Sequence, residues 1–108
     1  MKHPKMQYTY VGVDSHKATH TAVFLDCFFE KLGEITFNNL PSEFCEFLSN
    51  ASEFRIDGTE FLFGLEDVNS YGRTLAIFLN DNEQKVKHVS GFLVAKERKN
   101  RNIFECTR

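Results

Sequence analysis

The chain has 108 residues, of which 42% are hydrophobic, and a formal net charge of −2. That length suits one small domain with one core, and the nearly balanced charge excludes a general polyanion binder. No apolar run approaches the ~18 residues of a membrane span.

Residues 1–9 hold no apolar stretch of the kind a signal peptide needs. Cys27, Cys45 and Cys106 are odd in number and form no CxxC pair, and His3, His16, His20 and His88 have no zinc-site spacing with them. Reduced thiols and a cytoplasmic protein without membrane contact are the expectation. Most of the basic excess lies after Lys85.

The first seven residues are polar. Residues 8–14 and 20–27 are rich in β-branched and aromatic residues and predict two strands joined by the polar turn Ser15–Thr19. Residues 34–37 predict a short third strand after a turn, which completes an antiparallel meander. Pro41 suits a first helical turn. Phe44, Phe47, Leu48 and Ala51 then recur at helical spacing, predicting a helix over 41–51 with its apolar face in the core.

Phe61-Leu-Phe-Gly-Leu65 is apolar without alternation, as in a central strand buried on both faces. Tyr71, Leu75, Phe78 and Leu79 predict a second amphipathic helix over 70–80, capped by Asn69 or Ser70, with Tyr71 in the core. Residues 85–89 read as a fifth strand, and 92–100 as the start of a third helix carrying Lys96, Arg98 and Lys99, with Arg101 just beyond it. Lys96, Arg98, Lys99 and Arg101 are candidate contacts to nucleic-acid phosphates; a solvated helix face is the alternative.

Two strand ends share one pattern. Gly12-Val13-Asp14 closes the first strand, and Gly64-Leu65-Glu66 closes the fourth. Asp14 falls on the strand face of Tyr8, Tyr10 and Gly12. An isolated Asp there is most simply a turn residue. A matching Glu66 changes that. On adjacent parallel strands, both carboxylates would project from one end and one face, and a divalent cation would offset their repulsion.

The order β-β-β-α-β-α-β, with acids ending strands one and four, is the topology of the ribonuclease-H-like fold. The fold class expected is therefore α/β, a mixed five-stranded sheet in the order 3-2-1-4-5. Val11-Gly-Val-Asp-Ser-His-Lys-Ala-Thr-His-Thr-Ala22, Phe63-Gly-Leu-Glu-Asp-Val-Asn-Ser-Tyr-Gly-Arg-Thr-Leu-Ala76 and Ala95-Lys-Glu-Arg-Lys99 carry a further likeness. Together they resemble the N-terminal, RuvC-like "DEDD" domain of insertion-sequence transposases of the IS-one-ten type, over about residues 8–101.

The resemblance implies DNA transposition or recombination by an acidic, metal-dependent site acting on phosphodiesters. It implies Asp14 and Glu66 as the first two acids of the tetrad and as ligands of Mg²⁺ or Mn²⁺ once the tetrad is complete. DNA is the implied partner, with a guide RNA and homo-oligomerisation of a full-length protein as further implications. The family's last two acids follow its basic stretch in a Lys-x-Asp-x-x-Asp-type segment, which is absent here, as is the C-terminal domain that bears a serine. Residues 1–108 are therefore expected to be a single domain, the N-terminal part of a RuvC-like catalytic domain, inactive in isolation. Ser90-Gly91 stands where the family usually has Asn-Pro.

Beside Asp14, His16 or His20 is a candidate proton donor and Lys17 a candidate phosphate contact; exposed hairpin polarity is the plainer reading. Arg73, after the second acid, is open to either reading. Two rival functions stand apart from the transposase. One is a non-catalytic fragment that binds nucleic acid or dimerises. The other is an actin-like or sugar-kinase-like ATPase, whose usual Gly-Thr phosphate turn is replaced here by Ser15-His-Lys-Ala-Thr19.

Overall fold

A computed structural model describes residues 4–66 and 70–89. Five strands run β1 (Tyr8–Ser15), β2 (Thr19–Leu25), β3 (Lys31–Asn38), β4 (Glu60–Leu65) and β5 (Lys85–His88). Helix α1 (Pro41–Ala51) lies between β3 and β4, and α2 (Arg73–Asp81) between β4 and β5. The sheet order is β3-β2-β1-β4-β5, antiparallel across the first three strands and parallel at β1–β4 and β4–β5. This is the expected ribonuclease-H-like arrangement, with β1 at the centre and β4 an interior strand beside it. The third helix expected over 92–100 lies outside the described residues.

One sheet face is a ring-packed core. Val11, Val13, Ala22, Phe24, Phe37, Phe61, Phe63 and Leu65 bury against Phe44, Phe47 and Ala51 of α1 and Leu75 and Leu79 of α2. Phe37 and Phe47 stack with ring centroids 4.1 Å apart, and Phe44 meets Phe37 edge-on at 5.9 Å. Such pairs add to the area term that drives burial. Gly33 has no Cβ for a reason: one placed there would overlap the ring of Phe54, which packs on Phe24 at 5.1 Å.

The opposite face carries Tyr10, Val23, Leu25, Phe29 and Val89, with Tyr8, Cys27 and Leu62 beside them. The β2–β3 turn serves this face. The Asp26 carboxylate accepts hydrogen bonds from the amides of Phe28 (2.8 Å) and Glu30 (2.9 Å). Phe29 sits at φ 63°, a region that bulky residues rarely occupy. Its ring is buried against Tyr10, with centroids 5.5 Å apart.

Helix α2 starts later than its periodicity predicts. Gly72 occupies its N-cap position, and the Arg73 amide donates to the Ser70 carbonyl at 3.1 Å. Leu75 and Leu79 are fully buried as expected, but Tyr71 precedes the helix and is 46% exposed. The expected core role of Tyr71 is thus corrected. A turn through Gly72 takes it off the helical face that its spacing continues. Among the described residues, no helix is long and apolar enough to cross a membrane.

Candidate active site at the strand ends

Pairing puts the two glycine motifs side by side. Gly12 lies opposite Gly64 and Val13 opposite Leu65, so Asp14 and Glu66 are the next residues along two adjacent parallel strands. Alternation along β1 keeps Asp14 with Tyr10 and Gly12, on the face away from α1 and α2. On its other side Asp14 pairs with Thr21, whose hydroxyl lies 3.1 Å from that of Thr36.

Each acid is held by a neighbour. His16 donates from Nε2 to Oδ2 of Asp14 at 2.9 Å, and the two side chains are 64% and 35% exposed. Glu66 is half-buried just past β4. His88 at the end of β5 lies with Nε2 3.0 Å from the Glu66 carbonyl, and the Val89 amide donates to the Leu65 carbonyl at 3.0 Å. Strand β5 therefore fixes the backbone that carries the second acid.

His20 sits beneath the hairpin on the helix-covered side. It is fully buried between Phe37 and Phe44, with ring centroids 5.2 and 5.9 Å away. Its Nδ1 is 2.9 Å from Oγ of Ser15, the residue after Asp14, and among the described residues its Nε2 has no partner. Burial holds its imidazole below the ordinary range. Asn39 and the Asp14 carboxylate pull the other way, and His16 adds to the lowering. A neutral His20 positions Ser15 from below; it is no exposed proton donor. The candidacy of His20 as a donor on the site side is corrected, whereas His16 does touch the acid.

The residue that sequence reasoning passed over is Asn39. Its Nδ2 reaches the carbonyls of His16 (3.4 Å), Lys17 (3.5 Å) and Tyr71 (3.1 Å). Its amide donates to the Ala18 carbonyl at 2.8 Å. One side chain thus ties the loop after the first acid to the loop after the second. Its position between a strand and a helix start looks like ordinary turn chemistry, and its partners lie 22 to 32 residues away.

Lys17 is exposed at the hairpin tip. Lys96, Arg98, Lys99 and Arg101 lie outside the described residues. Oxygen donors such as Asp14 and Glu66 suit a hard cation like Mg²⁺. Among the described residues, however, no three His, Cys, Asp or Glu side chains gather closely enough to hold a metal ion. Asp14 and Glu66 thus offer oxygen donors of the right kind without making up a metal site by themselves.

No curated protein and no solved structure matches the chain. A family model described as a transposase, that of the DEDD enzymes of the IS110 (IS-one-ten) type, matches residues 11–103. The match spans both acid motifs, the hairpin and both helices, and the chain belongs to that transposase family.

Proposed function

We propose that this chain supplies the first half of a DNA-processing acid site, with Asp14 as the first carboxylate and Glu66 as the second. One observation carries the reading. The Gly12–Gly64 register sets two Gly–hydrophobe–acid endings side by side on parallel strands in a member of a transposase family. A divalent ion bound there would polarise a phosphodiester oxygen and favour its attack by a nucleophile. The chain's own residues supply placement: Asp14 is held by His16, and the backbone of Glu66 by His88. Asn39 keeps the two loops in fixed relation. Two carboxylates fill only part of an octahedral shell. These two carboxylates alone should therefore bind metal weakly and cut DNA little.

The experiment is Mn²⁺ titration of ¹⁵N-labelled protein. Paramagnetic broadening should concentrate on the amides of residues 12–15 and 64–66 and fade in Asp14→Asn. Uniform broadening, or broadening unchanged in that variant, would remove the site. A binding-only role is the second reading, favoured by the lack of a three-ligand cluster among the described residues. It predicts oligonucleotide binding indifferent to both acids.

A further inference from the structure

We infer that Lys87 is the cation that receives the DNA phosphodiester at the acid pair. The inference rests on the DNA-processing reading of Asp14 and Glu66, and it adds to that site a residue from β5.

Strand register brings Lys87 there. Gly12 pairs with Gly64 on β4, and Gly64 pairs with Lys87 on β5. Paired residues of adjacent strands point to one face, and so do residues two apart on a strand. Lys87 therefore shares a face with the two glycines and with Asp14 and Glu66 two residues further along. Contacts on β5 fix the same face independently. Lys85 holds its Nζ 5.4 Å from the centre of the Tyr8 ring, and Val89 packs in the cluster of Tyr10 and Val23. Val86, between them, packs against the helix-covered core instead.

The distances suit a lysine. Strand spacing and rise put the Lys87 and Glu66 backbones roughly 8 Å apart on the diagonal. A four-carbon stem spans that gap towards a phosphate held at the carboxylates. At the level of Lys87, β4 and β1 carry only glycines on this face, so no side chain of either strand projects there.

Charge gives the lysine its role. Two carboxylates and one phosphodiester carry three negative charges, and one divalent ion carries two positive ones. A cation beside the acids offsets the remainder and favours approach of the strand. Lys31 and Lys85 stand on this face too, but Lys31 pairs with Glu34 at 2.7 Å and Lys85 lies 3.9 Å from Glu60. Among the described residues Lys87 makes no ion pair, and it is exposed. A lysine meets phosphate as a point charge and reads no sequence.

The whole chain is titrated against a short labelled DNA duplex by fluorescence anisotropy over a series of salt concentrations. Lys87→Gln should weaken binding alike for unrelated sequences and reduce the slope of log affinity against log salt by about one. Lys87→Arg should keep the slope. Lys85→Gln, whose cation already has partners, should leave it unchanged. In ¹⁵N spectra of the parent, DNA should shift the amides of residues 64–66 and 86–88 together.

Equal slopes for Lys87→Gln and the parent would overturn the inference. Equal slopes with new self-association would make Lys87 a guard of the sheet edge instead. A reduced slope with DNA shifts that avoid residues 64–66 would also overturn it, since the phosphate would then lie elsewhere. Mn²⁺ broadening keeps the two readings apart. A reduced slope and the expected shifts without broadening at the acids sustain Lys87 and remove the metal site; broadening with an unchanged slope does the reverse.

Discussion

The helix-covered face of the sheet and the rim at its acid-bearing end are built from different forces. Under the helices, rings and branched side chains pack together and exclude water. At the rim the geometry hangs on a few directed bonds: His16 to the Asp14 carboxylate, His88 to the Glu66 carbonyl, and Asn39 to the Tyr71 carbonyl, with longer contacts from Asn39 to those of His16 and Lys17. The core sets whether the chain folds. The rim sets where the two acids stand relative to each other. Changes in one should therefore leave the other largely intact, and that separation can be tested.

The largest expected effect is in the core. Phe47 is 2% exposed, stacks on Phe37 and meets Phe63 at 6.4 Å. Phe47→Ala should cost about 3–5 kcal/mol through lost transfer energy and the cavity left behind. Urea unfolding measures it. A loss below about 1 kcal/mol would mean that the site can collapse and that the ring core is not what holds the sheet to α1.

A change at the boundary between the two regions should be smaller and dependent on pH. His20 is buried in the core yet contacts Ser15 at the rim. Its folded-state pKa is lowered, chiefly by burial. Above the ordinary imidazole value of about 6.5, neither folded nor unfolded chain is protonated there, and its contribution to stability is full. As pH falls below that value the unfolded chain takes up a proton that the folded chain resists. Stability then declines, by at most about 1.4 kcal/mol per pH unit, until the folded pKa is reached. Denaturant midpoints measured between pH ~7.5 and ~5.5 should fall in the parent and fall less in His20→Phe. Parallel profiles would show that His20 is protonated as readily in the fold as out of it.

The same division explains what could be read from the sequence. The strand β1 was legible from its run of β-branched and aromatic residues, and α1 because burial imposes a period of 3.6 on Phe44, Phe47 and Ala51. The two acid endings were legible because a glycine precedes each by two residues on a strand. Tyr71 was misplaced because spacing cannot see that the chain turns at Gly72 before α2 starts. His20 looked like loop polarity, since nothing local reveals that alternation turns it towards Phe37 and Phe44. Asn39 was invisible as a clamp because its partners are distant in sequence. Pattern carries the core; directed contacts at the rim exist only once the chain is folded.

The smallest expected effect concerns the acids themselves. The Asp14–His16 pair is largely exposed, and pairs of that kind contribute about 0–1 kcal/mol. Asparagine can still accept from His16, so Asp14→Asn should melt within about 0.5 kcal/mol of the parent without metal, and Glu66→Gln likewise. If the two acids are placed for a ligand, as proposed, their contribution should appear only when the ligand is present. Mg²⁺ at ten times its dissociation constant would stabilise the parent by about 1.4 kcal/mol. Neither variant should gain as much. Thermal melts of the three proteins with and without Mg²⁺ make the comparison. A structural acid would behave otherwise: its removal would strand hydrogen-bond donors and cost about 1–3 kcal/mol with no metal present. If both variants melt that far below the parent in metal-free buffer, Asp14 and Glu66 belong with the core as parts of the scaffold, and the division between the two regions fails at the residues where it matters most.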